Sequence, residues 1–341
     1  MVNEIRLVVK VGIEDYDITL QKYQVKIIQF PSIMPNFEIF VNNVKYNTQS
    51  YLHVQQEGEY NITLKFNLNL TYCRELFSEC KNMTIIDLSS LYPEEIYDMS
   101  MMFYNCENLN TVNFGNFNSK KVTNMSKMFY GCSNLCNIKI KLLNTANVID
   151  MSEMFSRCGL KNIKFPVLNS INLENMKGMF SFCPKLKNVD FSSFNTEKVK
   201  NISYLFQGCE NLENINFSSL NTKNVITMEG MFSKANLNNV DLSSLKTKFV
   251  KNLSYFFSDS KGLNNNHLSS IQTKNGNNMT HFLEGCDLKN INLSLIDTQH
   301  LVNMDYFFSR CKNIAINKES SINLKNCISM NQCFTKVICR K

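Results

Sequence analysis

The phrase NMSKMFYGC at residues 124–132 returns, altered, as DMSMMFYNC at 98–106, DMSEMFSRC at 150–158, NISYLFQGC at 201–209 and NMDYFFSRC at 303–311. Aligning these phrases on the MF pair gives one anchor per unit: Phe77, Phe103, Phe129, Phe155, Phe180, Phe206, Phe232, Phe257, Leu283, Phe308 and Phe334, spaced 25 or 26 residues apart. A period of this length confines the chain to a repeat architecture, in which a unit too small to bury its own apolar face buries it against its neighbours.

The columns around the anchor define the unit. Four residues before it stand Met99, Met125, Met151, Met176, Ile202, Met228, Leu253, Met279, Met304 and Met330, and three residues after it stand Cys80, Cys106, Cys132, Cys158, Cys183, Cys209, Cys286 and Cys311. With the mostly Met and Phe column immediately before the anchor, the apolar offsets are i, i+3, i+4 and i+7, the buried stripe of a two-turn helix. Five before the anchor come Asp98, Asn124, Asp150, Asn175, Asn201, Thr227, Asn252, Asn278, Asn303 and Ser329, all good N-cap types; Tyr72 alone breaks the column. A second pattern follows, Leu-x-x-Val-x-Phe, as in Leu109, Val112 and Phe114 or Leu186, Val189 and Phe191, which suits a short strand with one buried face. Pairs such as Asn195-Thr196 and Asn221-Thr222 read as the turn back to the next helix. The expected fold class is therefore α/β: a solenoid with a short parallel strand and a short helix in each repeat.

Residues 1–70 do not repeat. IRLVVKV, QVKIIQF and the alternating run Ile62, Leu64, Phe66, Leu68 and Leu70 read as strands, and Asn42-Asn43 between FEIFV and VKY reads as a hairpin turn. This predicts a small N-terminal β domain capping the open end of a solenoid of ten to eleven repeats over 71–341, with CFTKVICRK as a basic tail at the far end.

The motifs MFxxCxxLxxVxF and SSFNTxxVxNMSxMF resemble those of the BspA-like leucine-rich-repeat family of bacteria and protists, over roughly residues 71–341. The resemblance implies a right-handed leucine-rich-repeat solenoid. For many members it also implies a place on the cell surface and a role in adhesion or protein binding.

Charge and termini bear on partner and compartment. A net charge of +7 over 341 residues, with Lys and Arg dispersed, lacks the basic run of a nucleic-acid arm, so no nucleic acid is expected as partner. MVNEIRLVVKVG lacks the basic head and cleavage site of a secretory signal, no stretch is apolar for the roughly 18 to 20 residues of a spanning helix, and no lipidation motif is present. Sequons at Asn124, Asn201, Asn252 and Asn278 fall on side chains needed for capping, which suits the secretory route poorly. The expectation is a cytoplasmic protein without membrane insertion. An Asn- and Lys-rich composition like that of AT-rich protist genomes extends this to cytoskeletal or ciliary assemblies, with the cell surface as the alternative.

No reaction centre is legible. The cysteine column recurs among Met and Phe as a ladder of small buried hydrophobes, with Ala235, Ser260 and Val337 standing in for it. Cys327, Cys333 and Cys339 have no CxxC or histidine to complete a zinc site. The histidines His53, His267, His281 and His300 sit in no catalytic motif, and His267 reads as solvated sheet surface beside Asp241. No metal, cofactor or enzymatic activity is expected. Two surface columns remain. Asn137, Asn162, Asn188, Asn214, Asn239, Asn265 and Asn290 face outward in the strands, as a stiffening amide ladder or a polar groove for peptide or glycan. Two before the anchor, Tyr204, Tyr255, His281 and Tyr306 predict an exposed aromatic strip fit for a protein partner. The leading expectation is a non-enzymatic protein-binding scaffold or structural component of a larger assembly. Its rivals are a surface adhesin or glycan-binding module and a substrate-recognition subunit of an enzyme complex.

Overall fold

A computed structural model describes residues 3–17, 19, 22–28, 37–47, 50–66, 73–91, 95–115, 117–136, 138, 143–164, 170–314 and 324–339. The chain divides into two compact units, one built on Met1–Leu160 and the other on Lys161–Phe165 with Ser170–Lys341.

In the first unit alternating side chains make β1 (Asn3–Val11), which buries Ile5, Leu7, Val9 and Val11 on one face. β2 (Tyr16–Asp17), β3 (Lys22–Lys26), β4 (Phe37–Val41), β5 (Val44–Tyr46), β6 (Tyr51–Val54) and β7 (Gly58–Phe66) follow. Leu68 and Leu70 of the expected strand lie outside the described residues. Asn42 and Asn43 join β4 to β5 with φ of 48° and 68°, the paired left-handed conformation of a two-residue hairpin that Asn tolerates. β8 (Met83–Asp87) and β9 (Thr111–Asn113) are the strands of the first two repeats. The sheet order is β5-β4-β7-β1-β8-β9: β1 pairs antiparallel with β8, and β8 pairs parallel with β9. The N-terminal strands thus occupy a repeat-sheet edge that would otherwise offer unpaired backbone groups.

In the second unit β10 (Asn162–Lys164), β11 (Asn188–Asp190) and β12 (Asn214–Asn216) stack in parallel register, and β13 (Lys312–Ile314) pairs with β14 (Ile338–Cys339). Short 3-10 turns stand at Phe217–Ser219 and Leu293–Leu295, and α1 (Asn265–Ser270) takes a strand position.

The helix expected in each repeat is not formed, and the α/β expectation is corrected: the fold is predominantly β. The only α-helix among the described residues is α1, with six residues. The anchor segment is a string of tight turns. Its residues two before and two after the anchor carry left-handed φ, as at Met101 (56°), Asn105 (54°), Lys127 (55°) and Arg157 (60°), a conformation no L-residue α-helix contains. Its amides alternate between two uses. Those of Met99, Met101, Phe103 and Asn105 donate to the next coil, at Asn124, Ser126, Met128 and Tyr130 (2.9, 2.9, 2.9 and 2.7 Å); those of Met102, Tyr104 and Cys106 close turns on Met99, Met101 and Phe103. A helix spends its amides internally and could not ladder to its neighbour. The Asn/Asp column does cap, but as an Asx turn: Asp98, Asn124, Asp150, Asn201 and Asn303 accept from the amide two residues on at 2.7–2.9 Å. Within each unit the column also forms parallel bridges, such as Asp98↔Asn124 and Asn201↔Thr227.

The same turns send the Met, Phe and Cys columns inward. Anchor rings stack coil on coil, 5.2 Å apart for Phe103 and Phe129 and 6.0 Å for Phe206 and Phe232, and these four are fully buried. Thiols of the column donate to the anchor carbonyl one coil back, Cys106 to Phe77, Cys132 to Phe103, Cys209 to Phe180 and Cys286 to Phe257 at 2.9–3.1 Å, while Cys80 turns to Ser78 O in its own coil. Burial pushes these thiols up, Cys80 and Cys286 to about 12, so they stay protonated donors. On the opposite side buried hydroxyls bridge coils. Ser170 donates to Asn195 O (3.0 Å) and accepts from its amide (2.8 Å), and Thr247 does the same with Gln272 (3.1 and 2.7 Å).

Candidate functional site: an aromatic strip and a polar sheet face

The column two before the anchor stands at a left-handed position, with φ of 58° at Tyr204, 57° at Tyr255, 58° at His281 and 57° at Tyr306. Three of the four rings come together. Tyr255 stacks on His281 at 4.2 Å and 8°, and His281 on Tyr306 at 4.5 Å and 5°, so successive coils carry one continuous pile of rings. The rings lie over the neighbouring coil and are half-buried where the spacing predicts an exposed strip; only 18% of the His281 side chain is exposed. Tyr204 is two coils away. Its ring occupies the space where Gly230 lacks a Cβ, 2.4 Å from the position that atom would take, with the Lys177 ammonium 5.6 Å above and its hydroxyl donated to Glu229.

Charged groups fix the pile along one side. His281 Nδ1 lies 2.6 Å from Glu284 Oε2, Arg310 Nε donates to Glu284 Oε1 at 3.1 Å, and Arg310 Nη2 pairs with Asp259 at 3.0 Å. Desolvation, with Glu284 and Glu229 nearby, raises the Tyr255 hydroxyl above its ordinary value, and desolvation with the Glu229 hydrogen bond raises Tyr204 further, so both hydroxyls stay protonated.

On the sheet face, Asn188 donates its amide to Asn162 Oδ1 at 2.5 Å and Asn214 to Asn188 Oδ1 at 3.0 Å, along strands already in register. Beside them Lys164 and Asp190 approach to 4.0 Å, and Ser192, through its hydroxyl and its amide, holds the Asp190 carboxyl below the usual carboxylate range. Asn162, Lys164, Asn188, Asp190 and Asn214, with Asn216 and Asn239, line a depression of about 660 Å³. Asn265 and Asn290 do not extend the side-chain ladder: Asn265 opens α1, donating to Asn290 O (3.0 Å) and accepting from the Asn292 amide (2.8 Å), while Asn290 is itself left-handed at φ 63°. Asn137 lies outside the described residues.

Two features escaped the sequence reading. Tyr104 and Tyr130, one after their anchors, stack at 4.9 Å and 11°, with Arg157 donating to the Tyr130 hydroxyl at 2.9 Å; a search of that column for aromatics would have found them. His267 is not solvated sheet surface but 3% exposed within α1. Its Nδ1 accepts from the Asn264 amide (3.2 Å) while Nε2 donates to Val240 O (2.9 Å), and burial lowers its pKa. Here a reciprocal Asn264–His267 cap replaces the strand, which the column alignment could not reveal.

Among the described residues no group of His, Cys, Asp and Glu is arranged to hold a metal ion, and no helix is long and apolar enough to cross a membrane. The family described as "Mycoplasma protein of unknown function, DUF285" matches residues 71–189, 174–295 and 238–339, which is the repeat region. That agrees with the BspA-like leucine-rich-repeat character of the columns. A leucine-rich repeat protein from Bacteroides ovatus ATCC 8483, known from its crystal structure, is 17% identical over 81% of this chain and 88% of its own, with a TM-score of 0.36. No curated protein matches.

Proposed function

Because this chain belongs to the DUF285 family through its repeats, we propose that it works as stacked-repeat proteins do, as a non-enzymatic scaffold or structural component that binds protein partners through its surface. The observation that carries this reading is the pile of Tyr255, His281 and Tyr306, held in register by coil stacking and braced by Glu284, Arg310 and Asp259. Rings already fixed in this way lose little freedom when a partner covers them, so their contact area converts efficiently into affinity. The test is affinity purification from the native cell with mass spectrometry, comparing the natural chain with a Tyr255, His281 and Tyr306 triple alanine variant whose circular dichroism is unchanged. A stoichiometric partner lost in the variant supports the reading. A partner retained moves the site elsewhere, and no partner at all rejects the scaffold. A catalytic protein recovered as that partner makes this chain its substrate-recognition subunit.

A second reading, a surface adhesin or glycan-binding module, draws on the asparagine-lined depression, whose amides present paired donors and acceptors to a polar ligand. The two readings part on location: the scaffold belongs in the cytoplasm, the adhesin outside it. Surface labelling of intact cells and a glycan array, with Asn188→Leu as the control for the depression, separate them.

A further inference from the structure

Lysines that are dispersed along the chain are gathered by the repeat period. Lys223, Lys248 and Lys274 stand nine residues before the anchors Phe232, Phe257 and Leu283, so stacking sets them in one row on three successive coils of the second unit. Lys246 and Lys251 flank Lys248 in its own coil. The corners that carry them are stitched together: Thr222 Oγ1 donates to Lys246 O, Thr247 Oγ1 to Gln272 O at 3.1 Å and Asn275 Nδ2 to Lys248 O at 2.6 Å. Lys248 and Phe249 are outermost, between the buried Thr247 and Val250, and the Val250 amide closes the turn on Thr247 O at 3.0 Å. All five lysines are exposed and pair with no carboxylate among the described residues, and the corners at 221–226, 246–251 and 272–277 contain no acidic residue.

Phe249 lies at the centre of this patch, 51% exposed, with the Lys248 ammonium 5.5 Å from its ring centroid. Packing does not account for it. The same column holds Asn147, Asn224, Asn275 and Asn326, each donating to a carbonyl one coil back at 2.6–2.7 Å, and Phe249 forgoes that hydrogen bond while leaving a ring in water. An apolar tip ringed by ammonium groups on an outward corner matches the surface of an anionic bilayer, which takes lysines at its headgroups and a ring at the acyl boundary. A nucleic-acid strand is matched less well, since the corner offers no groove and no arginine fork. A protein partner is matched less well too, because protein interfaces are depleted in lysine. We propose that the corner at 246–251, with Lys223 and Lys274, is a peripheral docking site for anionic lipid headgroups, with Phe249 entering the boundary between headgroups and acyl chains. The site needs no spanning helix, and it shares no residue with the aromatic strip or the asparagine-lined depression, so it does not rest on either reading.

The chain contains no tryptophan, so Phe249→Trp provides a single fluorescent reporter at the tip. The full chain is titrated with vesicles of phosphatidylcholine alone or with about one-third phosphatidylserine. The expected result is saturable binding to the anionic vesicles with blue-shifted emission at about 0.1 M salt, weakened at about 0.5 M, and little binding to phosphatidylcholine alone. In co-sedimentation of chains without the reporter, combining Lys223→Gln, Lys248→Gln and Lys274→Gln lowers the affinity about a hundredfold, near fivefold for each lysine. Phe249→Ser lowers it about tenfold. The same charge change in the other unit, Lys10→Gln with Lys45→Gln and Lys81→Gln, leaves it unchanged. Equal binding to neutral and anionic vesicles, undiminished binding by the first triple variant, or emission that does not shift overturns the proposal. So does tighter binding of oligothymidylate or polyglutamate that Phe249→Ser weakens, since the patch would then serve a nucleic acid or an acidic protein.

Discussion

The coils anchored on Phe77 and Phe334 share one turn chemistry but differ in surroundings. The first is fully buried at its anchor and its sheet strand is paired by β1; the last leaves 49% of Phe334 exposed and four amides without acceptors among the described residues. The comparison teaches that a coil's stability comes mostly from its neighbours rather than from its own turns, as nearest-neighbour coupling in stacked repeats requires.

The largest expected effect tests this directly. Phe206→Ala, in a coil flanked on both sides, costs about 3–5 kcal/mol, whereas Phe334→Ala costs about 1 kcal/mol because half its surface is already in water. Urea unfolding measures both, and equal losses would break the comparison. Next comes the backbone. Gly230 has φ of 58° and sits against the Tyr204 ring, so Gly230→Ala costs about 1–3 kcal/mol from overpacking and a left-handed Cβ, while Lys127→Gly at the same column stabilises by up to about 1 kcal/mol. Thermal melts of the two variants should move in opposite directions.

The cysteine column sharpens the contrast further. Cys209 donates to Phe180 O between two coils, so Cys209→Ser, which keeps a donor, costs about 1 kcal/mol, whereas Cys209→Val removes the donor and costs about 1–3 kcal/mol. The smallest effect is on pH. His267 is held neutral, one nitrogen accepting and the other donating, and its pKa in the folded chain is below the ordinary 6.5. Its contribution is therefore complete above about pH 6.5 and declines as pH falls toward the lowered folded value, because the unfolded chain takes up the proton first. His267→Gln should flatten that part of a melting-temperature profile between pH 7 and 5.

The period, the inward columns and the Asn42-Asn43 hairpin were legible because each rests on a local pattern that burial or turn geometry imposes. The helix was misread for a physical reason. A coil of tight turns buries the offsets a two-turn helix buries, and Asn and Asp serve Asx turns as readily as N-caps. The distinguishing signal was present in Gly178 and Gly230 two before the anchor and in Gly131, Gly208 and Gly285 two after it, columns where a left-handed φ favours glycine and a helix interior would not. In the candidate strip, sequence placed Tyr255, His281 and Tyr306 on neighbouring coils, but whether their rings face solvent or lie over the next coil depends on backbone conformation that spacing does not carry.

Residue-resolved amide hydrogen exchange on the chain alone tests the central claim most directly. The account predicts slow exchange at Ile202, Tyr204, Phe206 and Gly208, whose amides reach Thr227, Glu229, Met231 and Ser233, and an alternating pattern in the last coil, fast at Met330, Gln332, Phe334 and Lys336 but slower at Cys333 and Thr335. Slow exchange at all four open positions, or the gradient of a helix with a fast first turn and a protected remainder, would contradict it.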